Sequence, residues 1–190
     1  MPTLLMLLIL SVGDGGVVDA GTPPLGPCST KQAICFSPLG KCDLQLVALI
    51  DKATKTLEVA IFSINRVGVV DALIRAKQRG VTVRMVVDTT QIGQDKETDQ
   101  LVRLLLAGIP IKRDTHNGYM HSKVVVVDDT WLATGSFNFT NNASDNNNEN
   151  LLVWSCPRNA LLYRQEFERL WLAFKDATEQ VRKLAGDAGI

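Results

Sequence analysis

Lys123 is followed by four consecutive valines, Val124 to Val127, and then by Asp128-Asp129-Thr130, and no other stretch constrains this chain as tightly. An unbroken β-branched run without polar alternation suits a strand covered on both faces. Such a strand needs a layered fold, with helices packed on either side of a sheet. The preceding sequence supplies the layers. Ala33–Phe36 is a short apolar run before a Pro/Gly turn, and Asp43 can cap a helix presenting Leu46, Leu49, Ile50 and Ala53 on one face. Leu57–Ile64 is β-rich, Val67–Arg79 is amphipathic with Gly80 at its end, and Val81–Val87 is again strand-like. Glu97–Ala107 predicts a helix stopped by Gly108, and Ile109–Arg113 a short strand.

This strand-helix order with short connections predicts an α/β fold: a layered, mixed and largely parallel β-sheet flanked by helices. Trp131–Thr134 is the expected hairpin partner of the valine strand, and Leu151–Trp154 is a further strand. Pro157 suits the first turn of a long helix that places Tyr163, Phe167, Leu170, Trp171 and Phe174 on one face, as core or dimer packing. With no internal repeat and no dividing linker, residues 28–190 read as a single domain.

Composition sets the outer limits. Of 190 residues, 46% are hydrophobic and 21% charged, which excludes a disordered tail, a collagen-like fibre and a polytopic membrane protein. Lys+Arg and Asp+Glu are balanced at 20 each, which argues against a uniformly basic nucleic-acid coat. Residues 1–27 hold Asp14 and Asp19 and no cation, so residues 28–190 carry 20 positive and 18 negative groups, a net of +2.

Within residues 1–27, Leu4 to Val12 is an apolar run too short for a membrane-spanning helix but suited to the core of a secretory signal. Val18-Asp19-Ala20 offers a cleavage site, so the expectation is a leader over 1–27 and a periplasmic or secreted body without stable membrane insertion. Cys28, Cys35, Cys42 and Cys156 follow. In an exported domain Cys35 and Cys42 can bridge across the Ser37-Pro38-Leu39-Gly40 turn, and Cys156 is a buried thiol or the partner of Cys28.

The chemistry concentrates between Gly118 and Asn150. His121-x-Lys123-x4-Asp128 leads into the valine strand, then come Gly135-Ser136-x-Asn138 and the run Asn146-Asn147-Asn148-Glu149-Asn150. On an extended segment His121 and Lys123 share a face about 7 Å apart, a spacing suited to one tetrahedral anion. The imidazole can serve as nucleophile or general acid/base, and the ammonium supplies fixed charge where phosphoryl charge develops. Ser136 and Asn138 offer donors to the same oxygens. Glu149 can accept a hydrogen bond from the imidazole and fix its tautomer. Asp128 falls at the hairpin turn, where a capping or orienting role fits better than direct chemistry.

Together these residues resemble the signature of the phospholipase D superfamily. Cys35-Phe36-Ser37-Pro38, Ala60-Ile61-Phe62-Ser63-Ile64 and Tyr119-Met120-His121 extend the resemblance to its compact, single-motif nuclease branch, over roughly residues 33–175. That branch includes small bacterial periplasmic endonucleases and mitochondrial Zucchini-type proteins. The resemblance implies a phosphodiesterase that needs no metal or other cofactor and works through a phosphohistidine. Carried over, the catalytic set is His121, Lys123, Asp128 and Glu149, and Lys123, Ser136 and Asn138 bind phosphate. Two-histidine chemistry with one motif per chain implies a homodimer, with two copies of His121 facing one another across a two-fold axis.

Other readings are weaker. His116 could supply the acid, although Thr115-His116-Asn117-Gly118 reads as a solvated turn. A metal site on His116, His121, Asp128 and Asp129 would be opposed by Lys123. Phe137 and Phe139 read as core, the Asn-rich run 141–150 as a site wall, and Lys112, Arg113 and Arg84 as scattered cations that could form part of a basic groove. A phospholipase D acting on phosphatidyl head groups, and a nucleic-acid-binding module without catalysis, are the rival functions.

Overall fold

The valine strand lies inside an eight-stranded sheet. The computed structural model describes residue 28 and residues 31–186; the expected leader and its cleavage site lie outside the described residues. The elements run β1 (Gln32–Ser37), α1 (Cys42–Ile50), β2 (Thr56–Ile61), α2 (Val67–Gln78), β3 (Thr82–Val87), α3 (Asp95–Leu106) and β4 (Ile111–Arg113). Then follow β5 (Lys123–Val127), β6 (Trp131–Gly135), α4 (Asn141–Asp145), β7 (Glu149–Ser155), α5 (Pro157–Ala173), β8 (Lys175–Asp176) and α6 (Thr178–Ala185). Among the described residues no helix is long and apolar enough to cross a membrane.

The strand order is β1-β7-β6-β5-β2-β3-β4-β8. The layered α/β class is as the sequence predicts, but a largely parallel sheet is not what forms. Only β2-β3 and β3-β4 are parallel, whereas β1-β7, β2-β5, β4-β8, β5-β6 and β6-β7 are antiparallel. Connectivity accounts for part of this: helices α2 and α3 return the chain between parallel strands, whereas β5 and β6 are joined by the short turn 128–130, which leaves no room for a crossover.

Every residue of β5 is buried, and its side chains divide between two cores. Val125 and Val127 join α1, α2, α3 and α6 on one face, through Leu46, Leu49, Val70, Leu73, Leu101 and Val181. Val124 and Val126 meet Phe167, Leu170 and Phe174 of α5 and its end on the other. The aromatic stripe of α5 is therefore core, except that Tyr163 is exposed.

Several local expectations shift. The N-cap of α1 is Lys41 in a left-handed conformation, and Asp43 is spent inside the first turn. Its carboxylate instead accepts from Arg66 at 2.7 Å, and Arg66 also reaches Asp145 at 2.7 Å, tying the starts of α1 and α2 to the end of α4. Part of the Asn-rich run forms α4, capped by Thr140 Oγ1 accepting from Ala143 N. Two further elements, β8 and α6, have no marked signature in the sequence; they close the sheet's edge and cover α3.

Both cysteine pairs are bridged, Cys35 to Cys42 and Cys28 to Cys156. The first closes the turn after β1, where Gly40 N donates to Phe36 O at 2.8 Å. A Cβ on Gly40 would lie 2.5 Å from that carbonyl oxygen, so only glycine fits there.

At the turn leaving β5, Asp128 corrects the reading that grouped it with the catalytic residues. Its carboxylate accepts from Thr54 N (2.9 Å), Thr54 Oγ1 (2.7 Å), Lys55 N (2.8 Å) and Thr56 N (2.9 Å). It thus clamps the entry to β2, at the opposite end of β5 from His121 and roughly 20 Å away at about 3.3 Å per residue. Burial works against its charge, but the Thr54 side chain and the three backbone donors hold the carboxyl below its ordinary range. Removing it by Asp128→Ala is expected to cost about 2 kcal/mol in urea unfolding without changing the chemistry at the far end of the strand. Because the folded pKa is depressed, this stabilisation is present at neutral pH and fades below about pH 4, an acid limb that Asp128→Asn should flatten.

Candidate functional site

One end of the sheet gathers the motif. In register, Ile61 at the end of β2 pairs with Lys123 and Val87, Ser37 pairs with Glu149, and Gly135 pairs with Leu151. The carboxyl ends of the parallel strands thus meet the start of β5, the end of β6 and the start of β7. This is the edge at which open α/β sheets usually bind ligands.

His121 stands exposed on the loop that enters β5. Three contacts fix that loop. Buried Asp88, directly after β3, accepts from Met120 N at 2.8 Å and from Thr90 N at 2.8 Å. Phe62 N donates to Ser122 O at 3.0 Å. The Phe62 ring lies against the His121 imidazole, with centroids 4.5 Å apart, and meets the Tyr119 ring edge-on at 5.9 Å.

Lys123 is only 6% exposed. Its Nζ donates to His121 O at 2.7 Å and sits 4.7 Å from the centre of the Phe62 ring. Burial pushes the ammonium down to about 8, partly offset by the charges of Glu149 and Asp88. Glu149 therefore acts on Lys123. Its carboxylate accepts from Asn147 Nδ2 at 3.1 Å.

The Gly135–Phe139 segment is laced on both sides. Asn150 O accepts from Ser136 N at 3.1 Å, and Asn150 N donates to Ser136 Oγ at 3.1 Å. A Cβ on Gly135, whose φ is +152°, would fall 2.2 Å from Asn150 O, so this approach requires glycine. Phe137 and Phe139 are buried, as the sequence suggests, and orient the segment like pegs. Phe139 N donates to Ser63 O at 3.1 Å, one residue beyond the Phe62 that touches His121. Asn138 Oδ1 is buried and meets no donor. Ser63 Oγ in turn donates to Glu97 Oε2 at 2.7 Å, and burial raises that carboxyl to about 7.

Strand register thus brings imidazole, ammonium, hydroxyl and amide to one sheet edge, a set of groups whose chemistry suits a tetrahedral anion. Asp88, Phe62 and Glu97 support this site and were not singled out from sequence. Only Asp88 carried a signal, as an acid placed at the carboxyl end of a parallel strand. Of the remaining candidates, Asp128 and Asp129 lie at the opposite end, where Asp129 pairs with Arg164. His116 sits 3.4 Å from Asp114 and stacks on Phe174 at 6.1 Å.

Known proteins share the sequence and the fold of this chain. A family model described as cardiolipin synthase, PLD-like domain, matches residues 46–171. The chain is 34% identical over 147 residues to the mitochondrial cardiolipin hydrolase of Xenopus tropicalis, covering 76% of this chain and 69% of that one. It is 32% identical over 147 residues to a phospholipase D of Rickettsia prowazekii, covering 77% and 69%. The crystal structure of a phospholipase D family member, Nuc from Salmonella typhimurium, superposes with a TM-score of 0.74 at 29% identity, over 77% of this chain and 97% of that one.

Lys123 gives the site a pH limit. With its folded pKa about 8 rather than the ordinary 10.5, the ammonium loses its charge above about pH 8. Affinity for a phosphate diester, read as 1/KM, is expected to fall up to about tenfold per pH unit above that point. Lys123→Gln should be weak at every pH and show no such limb.

Proposed function

The chain belongs to the phospholipase D-like family of phosphodiester hydrolases, and on that premise we propose that it is an endonuclease cutting DNA or RNA without a metal ion. The observation that carries the reading is the exposed imidazole of His121 beside the nearly buried Lys123, whose ammonium donates to the His121 carbonyl and shares the Phe62 ring with that imidazole. A rim of Ser136, Asn138, Asn147 and Asn150 is polar enough for a sugar-phosphate chain.

In the proposed reaction an imidazole nitrogen of His121 attacks phosphorus, forming a P–N bond as the P–O bond to the leaving nucleoside breaks. A second imidazole protonates the leaving oxygen. That imidazole then takes a proton from water, whose oxygen attacks phosphorus, and the P–N bond breaks to free His121. Lys123, Ser136 and Asn138 hold the phosphoryl oxygens throughout. Glu149 helps to keep Lys123 charged.

The second imidazole is assigned to another copy of the chain, because His116 is engaged with Asp114 and Phe174. A homodimer is also supported by apolar surface at the sheet's edge. Ile34 and Phe36, on one face of β1, are 58% and 66% exposed, and Ile34 pairs in register with the partly exposed Leu152. Export is proposed as well, since two disulfides persist best in an oxidising compartment.

Cardiolipin hydrolysis is the second reading, favoured by the 34% identity to a cardiolipin hydrolase. One experiment separates the two. Plasmid DNA, single-stranded RNA, and vesicles of cardiolipin or phosphatidylcholine are each incubated with the protein in excess EDTA, beside His121→Ala. The expected outcome is nucleic-acid cleavage that survives EDTA and falls at least about a thousandfold in the variant. Phosphatidic acid release with intact nucleic acid would replace the nuclease with the lipase, and loss of all cleavage in EDTA would end the metal-free mechanism. Light scattering should give twice the chain mass; an active monomer would return the acid role to His116.

A further inference from the structure

Three cations could form a basic groove by sequence, and the fold disposes of two. Arg84 is held by Glu58 at 3.1 Å and by Glu168. Lys112 donates to Trp171 O and lies 4.8 Å from that ring. Arg113 is left over. Its guanidinium reaches only Thr89 Oγ1 at 3.4 Å and Asp114 O at 3.5 Å, its Nε is buried with no acceptor, and no carboxylate pairs with it among the described residues.

Directly opposite Arg113 in the antiparallel β4–β8 register stands Lys175, exposed and without an ion pair among the described residues. Like charges facing one another across strands repel, and a buried donor without an acceptor costs free energy. An anion between the two side chains would relieve both. The space for one exists: Arg113 and Lys175 line a cavity of about 640 Å³ with Thr89, Thr90, His116 and Tyr119. The acid in its wall, Asp114, is buried and already accepts from Thr89 N at 2.5 Å, with His116 Nδ1 at 3.4 Å.

Tyr119 joins this cavity to the reacting imidazole. The residue is 64% exposed, and its ring lies edge-on to Phe62, the ring that touches His121. The cavity therefore begins one aromatic side chain away from the site.

We propose that this cavity is a second-phosphate subsite for single-stranded nucleic acid. Arg113 and Lys175 bind a backbone phosphate flanking the scissile one, and Tyr119 stacks a base between them. The inference rests on the nuclease reading for its ligand.

The test measures binding separately from cutting. The full chain carrying His121→Ala, which keeps the strand intact, is titrated against a short fluorescein-labelled oligodeoxynucleotide by anisotropy at several salt concentrations. Adding Lys175→Ala is expected to weaken binding about fivefold at ~0.1 M salt and to flatten the log Kd against log salt slope by about 0.7, the loss of one phosphate contact. Lys55→Ala, which removes an equal exposed charge at the opposite end of β2, should change neither. Tyr119→Ala should weaken binding at least about fivefold, and Tyr119→Phe should restore it. If Lys175→Ala matches Lys55→Ala, or if no oligonucleotide binds, the subsite is refuted. If the strand binds through Lys175 but the wild-type protein leaves it uncut, the subsite stands and the nuclease reading fails.

Discussion

Burial of β5 on both faces is the constraint on which the remaining structure depends. The strand joins two halves of different character, an antiparallel set of β1, β7 and β6 and a set in which β2, β3 and β4 run parallel. Alternate valines enter opposite cores, one built on α1 to α3 and α6, the other on α5. A strand gripped in this way leaves its ends little freedom. One end delivers His121 and Lys123 to the mouth of the site, and the other delivers Asp128 to a clamp on β2.

The two ends are treated differently by electrostatics. At the Asp128 end the charge is matched by four short hydrogen bonds, and the carboxyl lies below its ordinary range. At the His121 end burial shifts two ionisable groups. Lys123 is pushed down to about 8 and Glu97 up to about 7 by burial. Asn138 Oδ1 and Arg113 Nε are buried without partners.

Rigid support for the exposed imidazole comes from ordinary parts. Asp88 holds the backbone at Met120, Phe62 backs both His121 and Lys123, and Glu97 steadies Ser63, which holds Phe139. Each acts through a neighbour rather than on an anion directly. Such residues have no spacing signature, since they come from β2, β3 and α3 and meet only in the folded chain. His121, Lys123, Ser136 and Asn138 were legible because an extended segment repeats every two residues, so sequence spacing already implies a shared face. Asp128 shared the motif's spacing but not its location, because five residues of strand carry it to the far end.

The sequence by itself determined that this chain makes a layered α/β fold, through the valine run and the amphipathic helices before it, and that one segment holds an imidazole, an ammonium and a Gly-Ser-x-Asn turn. Such features are set by local periodicity and by chemical identity. The tertiary structure alone decided that the sheet is mostly antiparallel, that the charge of Glu149 bears on Lys123, and that Arg113 and Lys175 stand opposite one another beside an open cavity. Strand pairing and burial are properties of distant segments brought together, and no window along the chain contains them.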